Sequence, residues 1–321
     1  MEVGSDYFSK FGVMEKRMII LAIAATVLLG GGGRAAAQGE PLPGAADSLA
    51  LVTADWHWRA LGGGAEAGTA SLHLFSSTQS ISVIRFPMDE WRVEVLERDG
   101  DDACTTSEMA SYFGAAMALN GSYFNWDITP ATFVKDDGKV ISRTSPDEEF
   151  RANGLLLIKG KRRTRLRIRT SLPHGNRVNS WFSREALSSG PMLVENGKVV
   201  GNEGDGSEFF VRRHPRSFMG YTLPAAVPEG TLAGPGKPSG SMVYLVVVDG
   251  RFPGQADGAT IPESAFICRI LGLHDAINLD GGGSSTLWDE ELGVLNHPYD
   301  NRVFDHSGER LVPNSVGVFQ R

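Results

Sequence analysis

Seven consecutive apolar residues, Met242-Val243-Tyr244-Leu245-Val246-Val247-Val248, constrain this fold more than any other stretch. A strand with one wet face alternates apolar and polar residues, so a run with no polar position reads as a central strand covered on both faces. Half-buried strands surround it in the sequence. Ser80–Phe86 and Trp91–Leu96 alternate with period two, Leu155–Ile158 and Leu166–Arg169 bracket a basic turn, and Val316–Phe319 closes the chain. Asp136-Asp137-Gly138-Lys139 and Glu195-Asn196-Gly197-Lys198 carry the chemistry of two-residue hairpin turns. Helical patterns are few. Thr105 or Thr106 caps Ser107–Phe113, and Pro262-Glu263 opens a helix through Leu271 that stops at Gly272. The pattern predicts an α+β fold, a mixed β-sheet with hairpins and a few helices packed on it. Gly114 to Gly121 resembles Gly272 to Leu279 at matching offsets, each a helix, a glycine stop, a short buried strand and a polar loop. A weak internal duplication and a chance likeness both fit that repeat.

The 321 residues have an ordinary globular composition, and a net charge of −7 argues against nucleic acid as the main partner. Residues 1–37 read as a signal peptide. Lys16-Arg17 forms the basic region, Met18–Leu29 the apolar core, and Ala35-Ala36-Ala37 an A-x-A cleavage signal, with residues 1–13 a start-site artefact upstream of Met14. That core is short for a membrane span. Residues 38–50 read as a linker and 51–321 as one domain, exported to the periplasm or the extracellular space, with no stable membrane span after signal cleavage. Cys104 and Cys268 are available to pair in an oxidising compartment, worth about 4–5 kcal/mol in the chain-entropy model. Two separate buried thiols fit equally.

The chemistry concentrates after a second buried strand, where Asp280 meets Gly281-Gly282-Gly283 and then Ser284-Ser285-Thr286. Three ordered glycines cost much chain entropy, which a mere connection rarely justifies. Their N–H groups form a concavity suited to an anion, and the hydroxyls add donors and acceptors. Other segments combine unusual residue types. Asn120-Gly121-Ser122-Tyr123-Phe124 offers an amide for sugar hydroxyls and rings to stack on a sugar face. Ser189-Gly190-Pro191 is a turn feeding a strand. Arg212-Arg213-His214-Pro215-Arg216 repel one another unless an anion or local acids such as Glu203, Asp205 and Glu208 lie nearby. Asp249-Gly250-Arg251 ends the most buried strand, where ligands of parallel sheets bind. Glu263 suits a helix dipole or catalysis. Arg310 to Asn314 precede the last strand. No Walker or Rossmann spacing, G-x-S-x-G elbow or H-x-x-x-H pair is present. The sequence requires no cofactor, and a calcium-type cation on Asp280 or Asp249 stays open.

In chain order these segments resemble the phosphodiester glycosidase family. Its pattern runs N-G-G-[FY]-F, S-G-P-x-L, R-x-x-x-G, D-G-R, N-L-D-G-G-G-S-[SA]-T and R-x-V-x-N. The chain has Asn120 to Phe124, Ser189 to Leu193, Arg216 to Gly220, Asp249 to Arg251, Asn278 to Thr286 and Arg310 to Asn314, departing at Ser122 where a second glycine is usual. The resemblance implies hydrolysis of the anomeric C–O bond of a sugar-1-phosphodiester, GlcNAc-1-phosphodiester-like, in a cell-surface or extracellular glycan. Arg216 with Arg251 then holds the departing phosphate, the Gly281–Gly283 amides support it, and Asp280 or Asp249 serves as nucleophile or base. Asn120, Gly121, Ser189, Gly190, Ser284, Ser285, Arg310 and Asn314 bind substrate in that scheme. A non-catalytic glycan-binding module and a phosphodiesterase cutting P–O are the alternatives.

Overall fold

In the computed structural model, which describes residues 44–98, 103–160, 165–201, 206–224 and 240–321, the apolar run 242–248 is a strand buried at every position. The described strands are β1 (His57–Gly62), β2 (Ala65–Leu74), β3 (Ser77–Pro87), β4 (Trp91–Glu97), β5 (Met117–Asn120), β6 (Val134–Asp136), β7 (Lys139–Ser142), β8 (Gly154–Lys159) and β9 (Arg165–Thr170). They continue as β10 (Glu185–Ser189), β11 (Met192–Glu195), β12 (Lys198–Val199), β13 (Arg216–Tyr221), β14 (Met242–Val248), β15 (Asp275–Asn278), β16 (Leu287–Asp289), β17 (Gly293–Val294) and β18 (Asn314–Gln320). The described α-helices are α1 (Ala45–Thr53), α2 (Thr106–Phe113), α3 (Asn176–Asn179), α4 (Glu208–Val211) and α5 (Ile261–Ile270).

An eight-stranded sheet runs β1-β2-β3-β14-β13-β15-β11-β12, and two five-stranded sheets run β7-β6-β10-β8-β9 and β17-β16-β5-β18-β4. The architecture is α+β, and all pairings between the described strands are antiparallel. Side-chain alternation along β14 explains why it needs no polar face. Val243, Leu245 and Val247 enter a core shared with both smaller sheets, whereas Tyr244, Val246 and Val248 pack on the side of α1 and α5. Both hairpins carry turns with two positive φ angles, Asp137-Gly138 and Asn196-Gly197, whose twist matches the flanking strands.

The sequence repeat has a topological counterpart. In β4-α2-β5, strand β18 lies between β4 and β5 and is antiparallel to both. In β14-α5-β15, β13 occupies the same place. Each helix starts in a reciprocal cap, Thr105 with Glu108 and Thr260 with Glu263, and each is followed by a left-handed glycine, Gly114 or Gly272. The outer neighbours differ in origin, since β16, which follows the Asn278 loop, pairs with β5, while β11 pairs with β15. The chain beyond Asn278 is thereby carried to β5, beside the loop after Asn120.

Three expectations change. Residues 45–53 are helix α1 rather than linker, because Leu51 is fully buried and Asp47 accepts from the Gly44 and Phe75 amides at 2.8 Å each. No disulfide joins Cys104 and Cys268, and both are buried, Cys104 in the cluster under α2 and Cys268 in the one under α5. Asp249 does not sit beyond a parallel strand, since both neighbours of β14 run antiparallel to it. The signal peptide, Glu203, Asp205 and the centre of the basic turn lie outside the described residues.

Candidate active site

The loops after Asn120 and Asn278 are bound to each other before any substrate enters. The Asn120 amide donates to the Asp280 carbonyl at 2.7 Å, and its carbonyl accepts from Ser217 Oγ at 2.7 Å and the Thr286 amide at 3.2 Å. The Asp280 amide donates to the Gly121 carbonyl at 3.0 Å, and the Leu279 amide to the Ser217 carbonyl at 2.8 Å. Asn314 Oδ1 accepts from the Ser122 amide at 2.8 Å, and a Cβ on Gly121 would run into Asn314. Asn120 and Asn314 are fully buried. They are corrected from sugar-binding groups to the frame that fixes Asp280, because every amide atom of Asn120 is already engaged.

The glycine loop is tightly bounded. A Cβ on Gly281 would lie 2.6 Å from the Pro215 carbonyl oxygen, Gly282 adopts φ +66° with Arg251 Nη2 at 3.2 Å from its missing Cβ, and a Cβ on Gly283 would strike the Arg310 guanidinium. Two of its amides are committed internally, Gly281 to Asp280 Oδ1 at 2.9 Å and Gly282 to the Pro215 carbonyl at 2.9 Å. The loop is therefore less an amide cradle than a close-fitting floor on which arginines lie. Ser285 and Thr286 are buried with hydroxyls that have no partner among the described residues. The Ser189 hydroxyl is in the same state, and the Gly190 carbonyl accepts from Tyr123 and, at 2.9 Å, from Asn278.

Arginines surround Asp280. Burial lifts its carboxyl to about 6, a larger effect than the opposing pull of Ser284, Arg151, the Gly281 amide and Arg310. Arg151 is gripped by Glu148 in a two-pronged ion pair, Nε–Oε2 2.6 Å and Nη2–Oε1 2.7 Å, and stacks 3.9 Å over the buried Tyr123 ring. Arg310 pairs with Asp300, its Nε 2.8 Å from Oδ1. Arg251, itself at φ +66°, lies over Tyr299 and has Nη2 3.2 Å from His214 Nδ1. An arginine only donates, so that histidine nitrogen accepts and its proton sits on Nε2. Burial together with Arg216, Arg251 and Arg212 lowers His214 to about 4, which keeps the ring neutral at pH 7.

Arg216 does not face the substrate space, contrary to expectation. It is 2% exposed, its Nε donates to the Ala259 carbonyl at 2.9 Å, and Nη2 donates to the Phe209 and Arg212 carbonyls at 2.6 and 3.2 Å. A strand-end arginine faces inward here because the Phe209 and Arg212 carbonyls have no backbone donor among the described residues and the Ala259 carbonyl, which also accepts from the His214 amide, has a second lone pair for the fork. Burial lowers its pKa to about 10. Asp249 is likewise corrected. Ser80 Oγ, Asn296 Nδ2, the His297 amide and His297 Nδ1 meet its two oxygens at 2.7, 3.1, 2.9 and 2.9 Å, occupying the lone pairs that catalysis or a cation would use. Glu263 caps α5 and binds Arg213 at 2.8 Å, and Arg212 pairs with Glu208 at 3.2 Å. Among the described residues no three His, Cys, Asp or Glu side chains form a metal cluster.

Sequence reading missed Arg151, Tyr299 and Asp300. Arg151 stands in an ordinary loop and carries no signal beyond Glu148 three residues earlier. The structure thus brings Asp280, Arg251 and Arg310 together with Arg151 and His214, and leaves Asn120, Asn314, Arg216 and Asp249 as the frame behind them.

This antiparallel α+β fold is that of a known family. The phosphodiester glycosidase model matches residues 113–319, and the chain belongs to that family. Among solved structures it is similar to the catalytic domain of zebrafish N-acetylglucosamine-1-phosphodiester alpha-N-acetylglucosaminidase, auto-inhibited by its pro-peptide. That match has 20% identity and a TM-score of 0.59, covering 80% of this chain and 83% of that one. A hypothetical protein from Synechocystis is similar at 16% identity and a TM-score of 0.55, over 80% of this chain and 62% of that one. At these identities the likeness is one of fold. No curated protein sequence matches the chain.

Proposed function

We propose that this protein is an exported hydrolase that cleaves the anomeric C–O bond of a sugar-1-phosphodiester, GlcNAc-1-phosphodiester-like, in a cell-surface or extracellular glycan. The observation that carries the reading is Asp280 beside the glycine loop, with Arg251 and Arg310 lying against Gly282 and Gly283. A phosphodiester anion placed on that floor meets two donor forks, and its phosphoryl oxygens gain charge as the sugar–oxygen bond breaks. The bonding pair stays on the departing phosphate oxygen, which leaves as a monoester anion without needing a strong acid. The oxocarbenium-like carbon takes water or the Asp280 carboxylate; in the first case Asp280 accepts the water proton, and in the second water later releases the sugar. Either role needs Asp280 ionised. Export rests on the N-terminal basic and apolar segment with its A-x-A signal. Among the described residues no helix is long and apolar enough to cross a membrane.

Hydrolysis of a GlcNAc-1-phosphodiester in ¹⁸O-labelled water tests the reading. Label in the sugar product supports C–O cleavage. Label in the phosphate identifies a P–O phosphodiesterase, and retention of ligand without turnover identifies a binding module.

A further inference from the structure

Beside the arginine site lies a second concavity of about 550 Å³, between the faces of β2 and β3 and the segment 292–306. Its volume falls within the roughly 300–1,000 Å³ usual for small-molecule sites. Hydroxyls of Thr69 and Ser71, with His57 and Arg59 of β1, line one wall, and His297 and His306 the other, where Ser80 joins His297 on the Asp249 carboxylate. The two imidazoles are held alike. His297 Nδ1 faces the Asp249 carboxylate at 2.9 Å and His306 Nδ1 the Asn296 carbonyl at 2.7 Å, so both Nδ1 atoms carry the proton. The rings lie 4.5 Å apart, and His297 is further clamped by Phe304 stacked at 3.7 Å. Neither Nε2 has a partner among the described residues. The cleft therefore presents two fixed, adjacent hydrogen-bond acceptors facing the Thr69 and Ser71 hydroxyls, an arrangement that suits a ligand bearing several hydroxyls.

Its position relates it to Asp280. One chain segment serves both places. His297 lines the cleft while Tyr299 and Asp300 hold Arg251 and Arg310, and three residues span at most about 11 Å. Asp249 and Arg251 make the same link on the opposite strand end. We propose that this cleft binds a sugar residue of the glycan beyond the scissile phosphate, with His297 and His306 accepting its hydroxyls. This rests on the phosphodiester-glycosidase reading for the identity of the neighbouring site. Asp249 is then a positioning residue, fixing the tautomer of His297.

Two measurements on the full chain test it. The first titrates the wild type, His297→Ala, His306→Ala and Ser71→Trp with methyl glycosides of gluco-, galacto- and manno-configured disaccharides, reading the histidine ring resonances and Kd. The Ser71→Trp change places bulk in the cleft from an exposed position and leaves both imidazoles in the chain. The second compares KM for a GlcNAc-1-phospho methyl ester with KM for esters through those disaccharides. The proposal expects at least one disaccharide to bind and to shift both rings, with a tenfold or greater loss of binding in the variants. It also expects a fivefold or larger KM advantage of the extended ester that shrinks toward one in each variant. Absence of binding by all three sugars, or an advantage that survives His297→Ala and Ser71→Trp, overturns it. If the disaccharides bind and the variants lose them while neither ester is cleaved, the cleft stands and the catalytic reading falls.

Discussion

The Asn120 side-chain amide donates to the Asp280 carbonyl at 2.7 Å, while the Asp280 amide donates to the Gly121 carbonyl at 3.0 Å. This reciprocal pair joins the loops of two helix–strand units of like topology, so the candidate catalytic carboxylate is located by the seam between them. Asn120→Ala strands the Ser217 hydroxyl, the Thr286 amide and the Asp280 carbonyl in a buried place. The expected cost is about 2–3 kcal/mol of stability by denaturant melts, with a loss of kcat exceeding any change in KM.

Asp280 titrates near 6 in the folded protein against 3.8 ordinarily. Between those values the folded state holds a proton that the unfolded chain has released, so stability falls as pH rises through the window and stays reduced above it. Asp280→Asn removes that penalty. The variant is expected to be more stable than wild type at pH 8, by on the order of 2 kcal/mol, and equal to it at pH 3. Thermal melts across this range check both the size and the sign.

Because the proposed chemistry uses ionised Asp280, wild-type kcat/KM is expected to fall tenfold per pH unit below about 6. His214, held neutral near 4 by burial and three arginines, contributes no limb between pH 5 and 8. His214→Ala frees Arg251 from its only described hydrogen-bond partner and is expected to raise KM severalfold, with the pH profile of kcat unmoved. A shift of that limb in His214→Ala but not in Asp280 variants contradicts the assignment.

Arg216 is expected to behave as a core residue. Arg216→Met leaves the carbonyls of Phe209 and Arg212 without their donor and the Ala259 carbonyl with only the His214 amide, at a cost of about 3 kcal/mol. Arg251→Met, at an exposed position, is expected to leave the melting temperature within about 2 °C while weakening substrate binding at least tenfold. Paired melts and kinetics on the two variants separate frame from site.

Much of the frame was legible in sequence. Continuous apolarity located β14, Asp-Gly and Asn-Gly located two hairpins, a capping threonine located α2, and Pro262-Glu263 with Gly272 located α5. These signals are local, arising from side-chain period and from the φ that a turn demands. The motif arginines and carboxylates were a different matter, because residue type does not tell whether a side chain faces the cleft or the turns behind it. Arg216 and Arg251 both end up beside the glycine loop, yet one donates to three carbonyls and the other lies against Gly282. Arg151 reaches Asp280 through the tertiary path of its loop over Tyr123, which no spacing in the sequence encodes. The segment 45–50 misled for a related reason, since its burial depends on Leu51 meeting a distant sheet.

The most direct test of the central claim is the rate at which wild type and Asp280→Asn hydrolyse a GlcNAc-1-phosphodiester at pH 7.5. The account predicts turnover by the wild type and a loss of about a thousandfold or more in a variant whose melting temperature is equal or higher. Equal rates in the two proteins would contradict it.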